Sequence, residues 1–274
     1  MGYCDVRGKQ MHAVRADFPT DWPHANVHTL ADLHIGDAHC DESEVLARVK
    51  AVQDDPYGLC ILNGDLMNTA LRNSVSDVYS EVLSPMEQIN YLVTMLRPIA
   101  GKIIGVTAGN HENRVYRNDG IDVTRLVCRE LGIEEKYAPE GILIFLRFGT
   151  RGTHGGHLHD GRNPRQWYSI YATHGSGGGR KEGAKAIRLA DMAAVVDADI
   201  YVHSHTHLPM VMKQSYFRAD SSNCTAKQVQ KLFINTGAAL GYGGYGQSQE
   251  FKPADISTPV IHLESKRKRA TATM

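Results

Sequence analysis

Short apolar runs alternate with amphipathic stretches along the first half of the chain, and this alternation predicts strands and helices in turn. Residues 26–31, 57–62 and 102–107 have the length and composition of buried strands. Helices are predicted over residues 41–53, opened by a capping box, and over residues 84–96, opened by Ser-Pro. Strands that alternate with helices favour an α/β fold over separate helical and β domains.

The second half of the chain is richer in strand patterns. Helices are predicted over residues 121–131, closed by Gly132, and over residues 184–196. Strands are predicted over residues 142–148, 167–173, 199–202, 210–217, 231–234 and 259–263. The sequence has no repeat, linker or change of composition that would divide it. We therefore predict a single domain over residues 1–264 and a basic, disordered tail over residues 265–274.

Charge and cysteine content argue against several classes of protein. The 30 basic and 30 acidic residues cancel, so no overall field draws the chain to nucleic acid or to an anionic membrane. The five cysteines are scattered without a Cys-X-X-Cys pair, which argues against a disulfide framework and against a thiolate zinc site. No stretch reaches membrane-spanning length. We therefore expect a cytoplasmic protein in a reducing compartment, with no membrane partner.

Five short polar segments follow predicted strands and carry the candidate chemistry. They are Asp32-Leu33-His34, Gly64-Asp65, Gly109-Asn110-His111-Glu112, His174-Gly175 and His205-Thr206-His207. Because loops at the carboxyl ends of strands converge on one edge of a layered α/β sheet, we expect these side chains to meet there. Each segment alone is a weak signal, but five in sequence predict a site for two metal ions.

The residue types indicate which metals such a site would hold. Carboxylate and amide oxygens mixed with imidazoles suit borderline divalent ions, and they fit calcium or a soft thiolate site poorly. We therefore expect two divalent cations, with manganese placed before iron, zinc or nickel. A carboxylate between two histidine-rich halves can bridge two ions about 3.5–4 Å apart. Such a pair lowers the pKa of a bridging water and holds a phosphate for in-line attack.

Taken in order, the five segments resemble the signature of the calcineurin-like metallophosphoesterase superfamily. That signature runs Asp-X-His, Gly-Asp-X-X-Asp, Gly-Asn-His-Asp/Glu, His and Gly-His-X-His, and the resemblance covers residues 27–237. It implies an α/β fold of four layers, a double β-sheet sandwich flanked by helices, without a cap domain. The segments are most similar to those of the phosphodiesterase and nuclease-like branches, in which stand-alone phage and bacterial chains are frequent.

The resemblance also implies roles for individual residues. One metal would be bound by Asp32, His34 and His207, and the other by Asn110, His174 and His205, with Asp65 as the bridge. His111 would protonate the leaving oxygen or stabilise charge on the phosphoryl group. Asn68 and Glu112 would support these residues from behind. The implied reaction is hydrolysis of a phosphate ester by attack of a metal-bridging hydroxide, with Asp65 and His111 as the catalytic residues.

Departures from the signature affect the prediction. Asn68 stands where the family has a second acid, which in many members orients the catalytic histidine. An amide can still accept a hydrogen bond from His111, but it cannot stabilise an imidazolium by charge. The last segment begins with Ser204 in place of glycine. A literal Gly-His-X-His at residues 156–159 comes before His174 in a Gly-rich connection, and we interpret it as a loop.

Residues near the five segments bear on the substrate. Arg114 and Arg117 could clamp a phosphate, since guanidinium groups bind phosphate oxygens well. The basic stretch over residues 162–188, with aromatic residues interleaved, is typical of either a nucleic-acid rim or a solvated face. The protein-phosphatase form of the second segment contains an arginine that residues 64–70 lack. Residues 235–237, which also look like a segment of the family, are assigned to structure.

These observations lead us to expect a metal-dependent phosphodiesterase whose phosphoester substrate is DNA or a nucleotide. The first alternative is a phosphomonoesterase that acts on a nucleotide or a phosphoprotein. The second alternative, from another class, is a metal-binding scaffold without catalysis. Such scaffolds tend to lose metal ligands, whereas every ligand position of the signature is filled in this sequence.

Overall fold

The chain forms two β-sheets with helices on their outer faces. The computed structural model describes residues 11–19, 21–72, 74, 78–149, 166–177, 179, 181–248, 250, 252–253 and 255–274. The strands in this part of the chain are β1 (Ala13–Phe18), β2 (His24–Leu30), β3 (Gly58–Asn63), β4 (Ile103–Thr107), β5 (Ile142–Phe148), β6 (Trp167–Ala172), β7 (Ile200–His203), β8 (Met210–Asp220), β9 (Thr225–Asn235), β10 (Val260–Glu264) and β11 (Ala270–Thr273). The helices are α1 (Glu42–Asp54), α2 (Pro85–Leu96), α3 (Asn110–Asp119), α4 (Val123–Glu130), α5 (Glu182–Val195) and α6 (Gly244–Ser248), with 3₁₀ turns at Arg97–Lys102 and Glu134–Lys136.

Parallel pairing aligns the ends of the strands that lead to the candidate segments. The five-stranded sheet has the order β11-β10-β2-β3-β4, and β2, β3 and β4 run in parallel. The six-stranded sheet has the order β1-β5-β6-β7-β9-β8, and β6, β7 and β9 run in parallel. The carboxyl ends of each parallel set therefore lie at one edge of their sheet, which is where ligands bind in such folds.

Alternating apolar side chains place one core between the two sheets. Val27 and Ile61 of the five-stranded sheet belong to the same buried cluster as Ile144, Ile170 and Ile234 of the six-stranded sheet. A second cluster joins α1, α2 and α4 to the outer face of the five-stranded sheet, and a third joins α5 to the six-stranded sheet. These four layers confirm the predicted double β-sheet sandwich flanked by helices.

The end of the chain corrects the prediction of a disordered tail over residues 265–274. Strand β11 pairs antiparallel with β10 and extends the five-stranded sheet. The turn before β11 packs on Tyr168, whose hydroxyl accepts a hydrogen bond from the Arg269 N–H at 2.9 Å. The basic side chains are held as well, since Lys268 pairs with Asp199 at 2.6 Å. Positive charge alone was therefore a poor sign of disorder.

Strand β1 and helix α3 are among the elements that have no counterpart in the sequence prediction. Strand β1 pairs in parallel with β5, and Val14, Ala16 and Phe18 alternate as its buried residues. Helix α3 follows β4 directly, although its sequence is almost wholly polar. It begins because the Glu112 carboxylate accepts the Gly109 N–H at 2.9 Å, which satisfies a donor that the first turn leaves open.

Candidate metal centre

The five polar segments lie together in the fold. Segments after β2, β3 and β4 place the first five residues of the predicted site, and segments after β6 and β7 place the other three. In chain order these eight residues are Asp32, His34, Asp65, Asn110, His111, His174, His205 and His207. The edges of the two sheets meet here. Ligand atoms lie within 4.8 Å of one another in three groups, and two of these groups combine residues from both sheets.

Unusual backbone angles occur at the candidate ligands. Among the described residues, eight other than glycine have a positive φ, and five of these are candidate ligands. They are Asp32 (φ 50°), His34 (φ 50°), Asp65 (φ 49°), His205 (φ 65°) and His207 (φ 52°). Such a conformation costs free energy for a residue with a Cβ, and it persists only where the surroundings enforce it. Strain gathered at one edge of the fold indicates a functional constraint on these side chains.

Glycines allow the loops of the site to approach closely. Gly64 has φ +80°, and a Cβ there would lie 2.6 Å from the Gly109 nitrogen and 2.7 Å from Nδ1 of His174. A Cβ on Gly109 would collide with the carboxylate of Asp65. Glycine is therefore required at both positions by contact, and at Gly64 by backbone conformation as well.

Ligand atoms converge in two groups that carry most of the predicted residues. In the first, Nε2 of His207 lies 3.2 Å from Oδ1 of Asp32 and 3.4 Å from Nε2 of His34. In the second, Nε2 of His174 lies 3.1 Å from Oδ2 of Asp65 and 3.2 Å from Oδ1 of Asn110. His205 belongs to the second group as well, and a third group of His34, Asp65 and His111 lies between the other two.

The donor set fits divalent cations. Buried polar atoms are almost always hydrogen-bonded, yet Oδ1 of Asp32, Nδ1 of His34 and Nδ1 of His205 have no hydrogen-bond partner among the described residues. His174 donates its Nδ1–H to the Asn63 carbonyl at 2.8 Å, which leaves Nε2 facing the carboxylate of Asp65. A backbone carbonyl behind an imidazole is the usual support of a metal-binding histidine. These residues therefore suit the ions predicted from the sequence.

Electrostatics also favour positive charge at the centre. Burial alone would raise the pKa of Asp65, but the charges of His174 and His111 hold it well below its usual range. Burial alone would lower the pKa of His174, but Asp65 raises it to about 10. Burial and then the charge of His174 lower the pKa of His205 to about 4. Imidazole binds metals as the neutral base, so a cation would take the place of the proton that Asp65 holds on His174.

His111 is fixed by a main-chain contact, which corrects the role expected for the Asn68 side chain. Nδ1 of His111 donates to the backbone carbonyl of Asn68 at 2.9 Å, and Nε2 lies 3.9 Å from Oδ2 of Asp65. The Asn68 side chain instead donates to Asp37 at 3.2 Å. Burial lowers the pKa of His111, and Asp65 opposes this shift. The ring therefore presents Nε2 to the metal centre.

Glu112 joins the loops of the site through three backbone contacts. Its carboxylate accepts the N–H groups of Gly109 at 2.9 Å, Asp65 at 3.1 Å and Met67 at 2.9 Å. Burial and then the charge of Asp65 raise the pKa of Glu112 to about 7. One buried side chain thus joins the segments that follow β3 and β4.

Sequence reasoning missed three supporting residues. Asn63 accepts the Nδ1–H of His174 with its carbonyl, as described above, and its side chain donates to the Ser204 hydroxyl at 2.7 Å. The Thr236 hydroxyl donates to Oδ2 of Asp32 at 3.3 Å, and the Asn235 amide donates to the Thr206 hydroxyl at 2.8 Å. Asn63 and Asn235 are the last residues of β3 and β9, and Thr236 follows β9 directly. This position was the available signal, since polar residues at strand ends face the site.

Basic residues of the predicted substrate rim divide into two kinds. Arg114 is half-buried, and burial lowers its pKa while Asp65 opposes the shift; Arg117 is exposed on α3. Lys185 donates to the Thr206 carbonyl at 2.7 Å and Arg188 to the Ser176 carbonyl at 3.0 Å, so these two brace the histidine loops. The Gly-His-X-His sequence at 156–159 lies outside the described residues.

The fold and the donor set define a class: a layered α/β protein with a carboxylate and histidine centre, suited to divalent metals, at the meeting edge of two sheets. The chain belongs to the calcineurin-like phosphoesterase family, whose model matches residues 33–209. A search of curated proteins found no match. No helix among the described residues is long and apolar enough to cross a membrane.

Three solved structures that align with most of this chain have low sequence identity to it. A predicted phosphoesterase from Streptococcus pneumoniae TIGR4 is 14% identical with a TM-score of 0.36, and the match covers 91% of this chain and 88% of that chain. A Vps29 double mutant from Entamoeba histolytica is 14% identical with a TM-score of 0.42, covering 90% and 89%. Wild-type Vps29 complexed with Zn2+ from the same organism is 12% identical with a TM-score of 0.37, covering 90% and 97%.

Proposed function

We propose that this chain is an active phosphodiesterase that uses two divalent ions, manganese before iron, zinc or nickel, and that its substrate is DNA or a nucleotide. The observation that carries this proposal is the position of Asp65. Its carboxylate belongs to the group formed with His174 and His205 and to the group formed with His34 and His111. A carboxylate shared between neighbouring sets of imidazoles suits a bridge between two ions.

The proposed assignment of ligands follows the same geometry. One ion would be held by Asp32, His34 and His207, the other by Asn110, His174 and His205, with Asp65 common to both. Two divalent ions, when bound, supply Lewis acidity and lower the pKa of a coordinated water. The chain itself orients these ligands through buried hydrogen bonds from Thr236 to Asp32 and from His174 to Asn63.

His111 is the proposed proton donor. Its Nδ1–H is committed to the carbonyl of Asn68, so only Nε2 faces the metal centre. A protonated Nε2 can give its proton to the leaving oxygen or hydrogen-bond to the phosphoryl group. The side chain is 16% exposed, which leaves it within reach of a substrate while it remains fixed by its neighbours.

Charge near His111 supports a diester over a monoester. The carboxylates of Asp37 and Glu81 both accept hydrogen bonds from the side chain of Asn68, the residue whose carbonyl contacts the His111 ring. A phosphate diester carries one negative charge at neutral pH and a monoester carries up to two, so we infer that these two carboxylates disfavour the monoester more strongly. Arg114 remains the proposed contact for a phosphate oxygen on the same side.

The experiment compares two nitrophenyl esters under the same conditions. Purified protein is loaded with manganese and assayed on bis-para-nitrophenyl phosphate and on para-nitrophenyl phosphate, with Asp65→Asn as the inactive control. We expect manganese-dependent turnover with higher kcat/KM for the diester. A higher kcat/KM for the monoester would favour the phosphatase alternative. Absence of turnover on both esters by metal-loaded protein would contradict the enzyme proposal and favour a scaffold.

A further inference from the structure

Asn68 touches His111 only through its main chain, and its side chain is turned toward two carboxylates. The amide Nδ2 donates to Oδ2 of Asp37 at 3.2 Å and to Oε1 of Glu81. Its Oδ1 is buried and has no hydrogen-bond partner among the described residues. The residues that contact the Asn68 side chain therefore fix the position of the Asn68 carbonyl. Through that carbonyl they also fix the His111 ring.

Glu81 is held between two amide side chains. One carboxylate oxygen accepts from Nδ2 of Asn68, and the other accepts from Nε2 of Gln88 on α2. Gln88 is fully buried, and its Nε2 also donates to the Leu83 carbonyl at 2.8 Å. Both amide protons of Gln88 are thus used, which assigns its Oε1 as the acceptor for the remaining contact.

That remaining contact returns to the catalytic loop. Oε1 of Gln88 accepts the Thr69 N–H at 2.9 Å, and the Thr69 hydroxyl donates to the His111 carbonyl at 2.8 Å. Thr69 has φ 41°, so its backbone is held in a conformation that it would not adopt unaided. The hydrogen bonds form a closed ring that runs through His111, Asn68, Glu81, Gln88 and Thr69.

We propose that Glu81 is the positioning residue of His111, and that it acts through Asn68 and Gln88 in place of the acid that the family carries at the position of Asn68. The inference rests on the proposed function, in which His111 takes part in ester hydrolysis. Glu81 lies in the loop between β3 and α2, and its hydrogen bonds to Asn68 and Gln88 do not involve the candidate ligands. Its role is to fix the carbonyl that receives the His111 Nδ1–H.

Charge explains why an amide stands at position 68. An aspartate there would face Asp37 and Glu81 with a third carboxylate at hydrogen-bond distance, and like charges this close repel one another. An asparagine instead donates a hydrogen bond to both. The amide at position 68 and the acid at position 81 therefore complement each other. Exchanging the two residue types should restore a hydrogen bond between these positions, although the hydrogen bond to Asp37 is lost.

The test uses Glu81→Gln, which keeps the size of the side chain but places an amide opposite two amide donors. One of the two hydrogen bonds must then be lost. The matched control is Glu87→Gln, since Glu87 is exposed on α2 and accepts hydrogen bonds from Ser84. Both variants are loaded with manganese and assayed on diphenyl phosphate and bis-para-nitrophenyl phosphate, which differ in the acidity of the leaving phenol.

We expect Glu81→Gln to lower kcat on diphenyl phosphate by about 10- to 100-fold, the range for residues that orient a site from behind. The loss on the nitrophenyl ester should be smaller, because its leaving group needs less help from an acid. Metal content and KM should not change. Asn68→Asp should also lose activity. The double variant Asn68→Asp/Glu81→Gln should be more active than Asn68→Asp alone, since residues in contact have coupled effects, but it should not reach wild type because Asp37 still faces a carboxylate.

A second readout needs neither metal nor turnover. In metal-free protein, a two-bond ¹H–¹⁵N spectrum of the histidine rings reports which nitrogen carries the proton, and His111→Gln identifies the His111 signals. We expect one Nδ1–H tautomer in the wild type and a mixture of tautomers in Glu81→Gln.

An unchanged His111 tautomer, equal slowing of both esters, or a double variant no more active than Asn68→Asp alone would overturn the role of Glu81. If wild-type protein hydrolyses neither ester, the proposed function fails, while the tautomer still decides whether Glu81 positions the ring.

Discussion

The two sheets contribute different chemistry to one site. The five-stranded sheet supplies both carboxylates, the amide and two imidazoles, whereas the six-stranded sheet supplies imidazoles alone. The first set is Asp32, His34, Asp65, Asn110 and His111, and the second is His174, His205 and His207. Two of the three groups of ligand atoms contain a carboxylate from the first sheet and an imidazole from the second. Neither sheet alone holds the full donor set, so the site depends on the packing between them.

The two contributions also differ in how firmly they are held. Asp32 and Asp65 are at most 1% exposed, and hydrogen bonds reach them from the N–H groups of His205 and His111 at 3.1 and 2.9 Å. The His207 side chain, from the other sheet, is 31% exposed. The five-stranded sheet thus provides the buried carboxylates of the site. The six-stranded sheet provides the buried His174 and also His207, which is open to solvent.

The largest expected effect comes from Asp65, one of the buried carboxylates of the site. Asp65→Asn should abolish manganese-dependent hydrolysis of bis-para-nitrophenyl phosphate, because an amide cannot balance the charge of two ions. The loss should exceed the about 10- to 100-fold that follows removal of an outer supporting residue. Asp54→Asn, which removes an exposed carboxylate paired with Lys50 on α1, is the control and should keep full activity. Full activity of purified Asp65→Asn would show that the Asp65 carboxylate is not shared by two ions.

Loss of the proposed acid should be more selective. His111→Ala should slow hydrolysis of diphenyl phosphate by about 10²- to 10⁴-fold, the contribution of a positioned proton donor. Hydrolysis of bis-para-nitrophenyl phosphate should slow less, and metal content should be unchanged. The control is His262→Ala, which should behave as wild type, because His262 on β10 contacts Asn26 on β2 and not a candidate ligand. Equal slowing of both esters would exclude proton donation by His111.

His174 and His207 both come from the six-stranded sheet but differ in burial, so their contributions to metal binding can be compared directly. His174→Ala should lower metal affinity more than His207→Ala, because His174 is buried against Asp65 and its removal leaves that carboxylate without an imidazole partner at 3.1 Å. Water can fill the more exposed position left by His207. Titration of each variant with manganese measures the difference. The reverse order would show that exposure does not govern the contribution of these ligands.

The smallest change tests the contact between the loops of the two sheets. Gly64→Ala should lower the free energy of unfolding by about 1–3 kcal/mol, because its φ of +80° is unfavourable for alanine and its Cβ would meet Gly109 and His174. Gly183→Ala is the control, since a Cβ there meets nothing within 4 Å on α5, and it should raise stability by up to about 1 kcal/mol. Urea denaturation of metal-free protein measures both. Equal midpoints for the two variants would contradict the close approach.

Periodic patterns predicted most of the fold because burial imposes them. Strand β5 and helix α2 lie almost where the apolar spacing places them, and α2 begins with the capping box of Ser84 and Glu87. Strand β1 was missed because its buried positions are few and stand among charged residues. Helix α3 was missed because it has almost no apolar face, and it is held by Glu112 at its start. Strand β11 is a run of alanine and threonine, which carries little hydrophobic signal.

The site, like the fold, could be predicted from the sequence only in part. Its ligand types follow from motifs, because the chemistry requires particular side chains at strand ends. The contacts of Asn68 and Glu81 do not follow, since the two residues are 13 positions apart and a long loop decides how they meet. The main-chain contact to His111 depends on the backbone of Thr69, whose positive φ no local pattern indicates. Long-range hydrogen bonds of this kind are fixed only by the packed structure.

The central claim is that Asp65 joins two ion sites built from two sheets. Metal content of the purified protein, loaded with manganese and freed of excess ion, tests it most directly when wild type and Asp65→Asn are measured side by side. The account predicts about two ions per wild-type chain, as for a two-metal site, and a clear loss in Asp65→Asn. One ion per chain in both proteins would contradict the claim.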